Sequence, residues 1–264
     1  MSSADRVLAA RLEAAESANV AAIARLAAAS IADAAFEDFG GGVAVFAGAG
    51  SPMTHALGIG MRGPIQQRDM ERLEAFFRDR GSACLIDLCP LADPSVIAFV
   101  QSRPYRILEF NNVLARPIQP DEDFAPTPGV TRIAEPDAPL WARVISQGFA
   151  EHMPVTEETI SLMATACRAS QCWLAGEPHS VAGAAMSVHD NTAVFSGDAS
   201  LLEARAKGWQ TALIRARLAA AHAQGCDLAM ASVLPGSTSH RNYERAGFQF
   251  IYMRVNLVRE FEQN

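Results

Sequence analysis

The stretch EARAKGWQTALIRARLAAA, Glu203–Ala221, sets Arg205 and Lys207 just before an Ala- and Leu-rich helical run. A helix start exposes amide N–H groups that have no acceptor, together with about half a positive charge. Asp, Asn, Ser or Thr ordinarily caps it, and none stands between Arg205 and Trp209. Gly208 allows the backbone to approach a bound group closely. The pattern predicts a turn that holds an anion on its amides.

Working outward, the 264 residues are 50% hydrophobic and 19% charged, enough to build one large or two ordinary cores. The net charge of −7 argues against a general nucleic-acid binder, which would show a basic stripe. Five cysteines, Cys84, Cys89, Cys167, Cys172 and Cys226, are odd in number and widely spaced. They suit neither a disulfide framework nor a zinc knuckle, and read as free thiols of a reducing cytosol. No His-x-x-x-His or His-Glu pair occurs, so no metal is expected. The chain shows no basic-then-apolar leader and no apolar run long enough to span a bilayer. A soluble cytoplasmic protein without membrane or nucleic-acid partners is expected, with oligomerisation left open.

Residues 4–37 are Ala-rich with apolar positions at helical spacing, and predict one helix or two with a break near Ser17–Asn19. Glycine-bounded strands follow around Val43–Ala47 and His55–Ile59, then a helix at Gln67–Arg80. A strand at Cys84–Leu88, a helix at Pro94–Ser102 and a strand at Tyr105–Arg116 complete the first half. The segment RPIQPDEDFAPTPG, Arg116–Gly129, reads as a linker. Beyond it come a strand at Val130–Glu135, helices at Asp137–His152 and Thr156–Ala169, and strands at Gln171–Ala175, Val181–Val188 and Thr192–Ser200. His189-Asp190-Asn191 forms the hairpin turn before the last of these. The opening helix ends at Gly225, followed by strand Leu228–Leu234, helix Ser239–Ala246 and strand Phe248–Val258.

The two halves end alike. Gly81 and Gly225 each close a main helix, and each is followed by a strand ending in Pro90 or Pro235, a short helix and an aromatic-led strand. This order suggests an internal repeat, against the alternative of two unrelated α/β halves.

Arg205-Ala206-Lys207-Gly208-Trp209-Gln210 resembles the Arg/Gln-x-x-Gly-x-Gly/Ala loop of the GCN5-related N-acetyltransferases (GNAT), and SHRNYERAGF, with Tyr243, Gly247 and Phe248, resembles that family's second signature. The resemblance implies an α/β (α+β) fold of two GNAT-like mixed-sheet domains in tandem, the N-terminal one degenerate. The implied boundaries are residues 1–120, a linker at 121–129, and an acetyl-coenzyme A-binding domain at 130–264. It implies acetyl-coenzyme A as cosubstrate and no metal. The pyrophosphate would lie on Arg205, Ala206, Lys207, Gly208, Trp209 and Gln210, with Ser239 nearby, and the pantetheine along Asp198, Ala199, Ser200 and Leu201. Two positions depart from the pattern. Gln210 replaces the small final residue of the loop, and Gly236 stands where many members have Asn.

The implied reaction is acetyl transfer to a primary amine of a small molecule or peptide by direct attack. It needs a held thioester, a stabilised oxyanion, and proton removal from the amine. Tyr243 is the candidate acid, against a packing role with its hydroxyl bonded inside. Asp198 is the candidate base, against orienting substrate or ending its strand. Glu151 and His152 are candidate acceptor contacts, against solvated helix-end charges. A coenzyme A-binding module without turnover is the alternative of a different class.

In the first half, aligning Gly81 with Gly225 puts Pro64 where Gly208 stands and Met61 where Arg205 stands. Proline removes a donor, and Asp69 and Glu71 load the helix start with negative charge. That turn is expected to repel a diphosphate. Gly58-Ile59-Gly60-Met61-Arg62-Gly63 formally fits Gly-x-Gly-x-x-Gly, but Pro64 follows and Asp87 lies within a strand, so a dinucleotide fingerprint is poorly matched.

Overall fold

The computed structural model describes residues 5–29, 33–151 and 153–262. They form two compact units, one of residues 1–113 and 251–264, the other of residues 114–250.

In the first unit, α1 (Arg6–Ala27) is one unbroken helix, capped by Asp5, whose side chain accepts from the Leu8 amide. Then come β1 (Ala35–Phe39), β2 (Gly42–Phe46), β3 (His55–Leu57), α2 (Gln67–Arg78), β4 (Cys84–Leu88), α3 (Pro94–Gln101) and β5 (Arg106–Pro117). The helical reading of residues up to 37 is corrected at its end, because Ala35–Phe39 pair antiparallel with Phe46–Gly42 as β1. Val20, Ala21 and Ala24 of α1 pack on Val43, Val45 and Leu57 of the sheet.

The second unit holds β6 (Val130–Arg132), α4 (Ala138–Gly148), α5 (Glu157–Arg168), β7 (Gln171–Ala175), β8 (Ala182–His189), β9 (Thr192–Ser200), α6 (Trp209–Ala223), β10 (Leu228–Val233) and α7 (Thr238–Arg245). The last strand, β11 (Gln249–Arg259), begins there. Strand order in this unit is β10-β9-β8-β7-β6, with β9 and β10 parallel and the other pairs antiparallel. Its core includes Trp173, Met186, Phe195, Leu213, Ile214, Leu218, Tyr243 and Phe248.

The units are cut differently from the boundaries read in the sequence. Residues 251–264, expected with the second domain, join the first unit. Val255–Arg259 of β11 pair antiparallel with Leu88–Cys84 of β4, giving the order β1-β2-β3-β4-β11. Side chains seal the exchange. Tyr252 donates its hydroxyl to Glu13 (2.7 Å), Arg254 binds Glu13 and Glu16 (2.7 Å each), and Arg259 binds Glu74.

On the face that carries Leu57, β3 also presents His55, and the register Leu57↔Asp87 and Asn256↔Asp87 puts Asp87 and Asn256 there too. His55 Nδ1 lies 2.7 Å from Asp87 Oδ2, and Asn256 donates to Asp87 Oδ1 (2.6 Å). Burial alone would lower the His55 pKa, but the charge and hydrogen bond of Asp87, with Glu16, lift it above its ordinary value. Burial would raise that of Asp87, but His55, Arg254 and Asn256 hold it below the usual carboxylate range. His55 therefore stabilises the fold fully below about pH 6.5, and the contribution fades as pH rises through its raised pKa. Asp87 contributes above about pH 4, and that contribution fades as pH falls through its depressed pKa. Melting temperatures of wild type and His55→Gln, followed from pH 4 to 9, should differ most at about pH 4–6.5. The difference should shrink on the alkaline side. A gap that widens with rising pH would contradict this account.

Candidate active site

The opening turn follows β9 through a short 3-10 turn at Leu202–Ala204. Ala206 (φ 62°) and Gly208 (φ 85°) both take the left-handed conformation. Gly208 occupies the N-cap of α6, and no side chain caps the helix. The first helix-closing bond is Ala212 N–H to the Gly208 carbonyl (3.0 Å). The amides of Trp209, Gln210 and Thr211 therefore have no helical acceptor. Nothing lies within 4 Å of where a Cβ on Gly208 would stand. The other half differs. There Gln66 and Asp69 form a capping box that supplies the start of α2 from within.

A gap opens in the sheet at the same end. The register of β9 with β8 runs Gly183↔Ala199 but Ala185↔Ser196, so three steps along β9 match two along β8. The extra residue is a β-bulge, with Gly197 in the left-handed region (φ 64°). Pairing of β9 with β10 ends at Phe195↔Ala231, while β9 continues to Ser200 and β10 to Val233. The carboxyl ends of two parallel strands thus part, which is where open α/β sheets place their ligands. Leu201 donates its N–H to the Val181 carbonyl (2.8 Å), on the β8 side. A trans peptide sets the Ser200 carbonyl opposite to that N–H. Extended backbone then directs the Ser200 N–H away from β8 as well, towards the gap. Ala199 is buried at the foot of this segment. Gly148, the last residue of α4, packs so close that a Cβ there would stand 2.7 Å from Ala199 Cβ and 3.1 Å from Ser200 N.

Arg217, on α6, is fully buried and braces the bulge. Its Nη1 donates to the Ala185 carbonyl (3.0 Å), the Ser196 carbonyl (3.5 Å) and Asp198 Oδ2 (3.1 Å). Its Nη2 donates to Asp198 Oδ1 and to the Tyr243 hydroxyl oxygen (3.3 Å), and its Nε to the Leu213 carbonyl (3.2 Å). Its guanidinium stacks 4.4 Å above the Phe195 ring centroid. Tyr243 in turn donates its hydroxyl to Asp198 Oδ2 (2.7 Å).

Tyr243 and Asp198, expected as acid and base, are thus brought together, but the geometry gives them another task. Tyr243 is 1% exposed and its proton is committed inward to Asp198. Burial pushes its phenol well above the ordinary value, so it stays protonated. Both oxygens of Asp198 are occupied by Arg217 and Tyr243, so taking a proton would sacrifice charge-assisted bonds. Arg217 itself was missed by the sequence reading. Its signal was available: it falls on the buried stripe Leu213, Ile214, Arg217, Leu218, Ala221.

The loop residues divide. Lys207 is exposed beside the uncapped amides. Arg205 turns to the C-terminal end of α4, where it binds Glu151 and the Gly148 carbonyl (3.3 Å). It offsets the negative end of that helix rather than facing α6. Glu151, expected at the acceptor pocket, is its partner, and His152 lies outside the described residues. Trp209 packs against the core, its ring close to Gly129. The Gln210 side chain points to α7, accepting from Asn242 (2.7 Å) and donating to Ser239 (2.8 Å). The oversized residue of the loop therefore leaves the amides clear and ties the starts of α6 and α7 together. Ser237 caps α7 by accepting from the His240 amide.

Among the described residues no group of three or more His, Cys, Asp or Glu could hold a metal ion, and no helix is long and apolar enough to cross a membrane.

No protein-family model and no curated protein matches the sequence. Solved structures do match. A GCN5-related N-acetyltransferase from Kribbella flavida aligns with 96% of this chain and 96% of its own, at 17% identity and a TM-score of 0.66. A tandem GNAT protein from the clavulanic acid biosynthesis pathway aligns with 95% of this chain and 97% of its own, at 13% identity and a TM-score of 0.58. A GCN5-related N-acetyltransferase from Sphaerobacter thermophilus aligns with 72% of this chain at 17% identity and a TM-score of 0.56, and this chain spans 66% of its length. Two of these alignments run over 95–96% of this chain, one of them with a tandem GNAT protein, and they show that the chain has the fold of the GCN5-related N-acetyltransferases in tandem form, here with the start of α2 capped from within and that of α6 not.

Proposed function

We propose that the second unit is an acetyl-coenzyme A-dependent N-acetyltransferase acting on a primary amine of a small molecule or peptide. One observation carries this reading: the uncapped, left-handed turn at Ala206–Gly208 lies at the same end of the sheet as the gap beyond Phe195 and Ala231. An anion-binding turn and an open strand edge at that end suit a ligand with a diphosphate at one end and an amide-bearing arm at the other. Acetyl-coenzyme A would supply the activated thioester. The free amides of Trp209, Gln210 and Thr211, with Lys207, hold the diphosphate. The Ser200 backbone N–H donates to the carbonyl oxygen as it gains charge. The Arg217–Asp198–Tyr243 cluster keeps the bulge rigid and so aims that donor. The amine arrives as the free base; as its nitrogen bonds to the carbonyl carbon and the C–S bond breaks, its surplus proton passes to water or to the departing thiolate, whose thiol pKa of about 8.5 leaves little need for acid assistance. The clamped state of Asp198 and Tyr243 is also what favours the second reading, a coenzyme A-binding module without turnover.

Thermal shift with acetyl-coenzyme A tests the turn. Ligand at 100 times its dissociation constant should stabilise the wild type by about 2.7 kcal/mol, read as a shift of several degrees. Gly208→Val forces a β-branched residue into the left-handed region and should lose most of the shift. Arg205→Ala should keep most of it, since Arg205 faces Glu151. An undiminished shift in Gly208→Val would remove the turn from the site. Release of coenzyme A thiol on adding a panel of amines separates enzyme from binding module.

A further inference from the structure

The bulge that Arg217 holds from the α6 side has a second support on the opposite face. Ala182 and Ala184 of β8 belong to the core that Leu213 and Ile214 of α6 complete. Gly183, between them, therefore points to the other face, and there it meets α4. A Cβ on Gly183 would stand 3.2 Å from Trp141 Nε1 and 3.3 Å from its Cδ1. A Cβ on Gly197, the left-handed residue of the bulge, would stand 3.3 Å from Trp141 Cζ2 and 3.4 Å from its Cη2. One edge of the indole thus covers β8 and the other covers β9. The ring spans the interval in which the register shifts, from Gly183↔Ala199 to Ala185↔Ser196.

The ring is also fixed in its own plane. Trp141 is 1% exposed, and its Nε1–H donates to the Ala184 carbonyl (3.2 Å). A buried indole N–H takes such a partner, and that bond sets which edge of the ring faces which strand. Two helical turns further along α4, Gly148 packs on Ala199 and the Ser200 nitrogen.

We propose that Trp141 is a positioning residue for acetyl transfer, an inference that rests on the function proposed above. At 1% exposure Trp141 is not offered to substrate or cofactor, so it acts through the strand. A bulge leaves its extra residue outside the ladder, and glycine has the most backbone freedom of any residue. Pairing of β9 with β10 has already stopped at Phe195↔Ala231. Beyond that point β9 has a partner strand on one edge only, and packing from both faces supplies the remaining restraint. Arg217 acts from α6 and Trp141 from α4. The segment Asp198–Ser200 carries the placement of Gly197 to the Ser200 N–H. Glycine at 183 and 197 lets the flat ring lie on the backbone, where a side chain at either position would push it off.

The test measures kcat and KM of the full chain, by coenzyme A release, with an amine that the wild type acetylates and well below each variant's melting temperature. Trp141→Phe keeps a ring over Gly183 but falls short of Gly197 and lacks the N–H. Trp141→Leu leaves no flat ring at all. Since a misplacement of about 1 Å can cost about 10²-fold, kcat should fall roughly three-fold in Trp141→Phe and roughly 10–10²-fold in Trp141→Leu. KM for acetyl-coenzyme A should stay put, so that kcat and kcat/KM fall together. A purely structural role would lower the melting temperature and leave kcat of the folded protein unchanged. Should Trp141→Leu fold poorly, Gly197→Ala decides. Its methyl would meet the indole edge at 3.3 Å, so it should lower kcat more in wild type than in Trp141→Phe, as residues in contact are not additive. Unchanged kcat in Trp141→Leu, a kcat loss matched by lost cofactor binding, or equal effects of Gly197→Ala in both backgrounds would overturn the proposal. A wild type that binds acetyl-coenzyme A but acetylates no amine would overturn the enzyme reading itself, and this inference with it.

Discussion

Arg217→Met is expected to destabilise the second unit by about 3–5 kcal/mol, the usual cost of removing one partner from a buried ion pair. The loss is not of hydrophobic area, since Met fills similar space. It comes from Asp198, whose carboxylate would keep only the Tyr243 hydroxyl, and from the Ala185 and Ser196 carbonyls left by the bulge without their donor. Adding Asp198→Leu to Arg217→Met should recover more than half of the loss, because a buried pair replaced whole is often neutral. Tyr243→Phe should cost less, about 1–2 kcal/mol, as it removes one neutral donor. Urea unfolding of the four proteins, read by tryptophan fluorescence, checks the order. A loss under 1 kcal/mol for Arg217→Met would mean that the bulge holds without it.

Ser200→Pro should slow acetyl transfer by about 10²–10³-fold at saturating substrates, the usual consequence of deleting one oxyanion donor. The substitution removes the N–H together with the side-chain hydroxyl and fixes φ, and proline is tolerated at strand positions whose N–H lies outside the ladder. Ser200→Ala keeps the N–H and should transfer nearly as fast as wild type. Thermal shift with acetyl-coenzyme A should survive in both variants, because in the proposed binding mode the diphosphate would rest on the turn after β9 and not on Ser200. Coenzyme A release under single-turnover conditions gives the rates. Full activity in Ser200→Pro would move the oxyanion donor elsewhere, while activity lost together with the thermal shift would point to a distorted strand.

Much of the fold was legible because its signals are local. The strands Cys84–Leu88, Gln171–Ala175 and Thr192–Ser200 have the bounds their apolar patterns indicate. Asp190 and Asn191, at φ 44° and 58°, make the tight turn expected between β8 and β9. The first strand, Ala35–Phe39, was hidden because an Ala-rich run shows little period of its own, and pairing with β2 decided its state. The partner of the last strand was hidden too. Alternation along Gln249–Arg259 says which side chains share a face, but not that Cys84–Leu88 will lie beside them.

The candidate site divides along the same line. By itself the sequence determined that the start of α6 lacks a cap of its own. That property depends on which residue types occupy a few neighbouring positions, and the structure keeps it: Gly208 sits left-handed at the N-cap with no side chain bonded there. Only tertiary structure decided where the side chains around it point. Arg205 is drawn to the end of α4 by Glu151 and the Gly148 carbonyl, Gln210 is held by α7, and Asp198 and Tyr243 are closed around a buried Arg217. The physical reason is that the charge and conformational freedom of a turn are local, whereas the partner of a long polar side chain is whichever group the fold brings within hydrogen-bond reach.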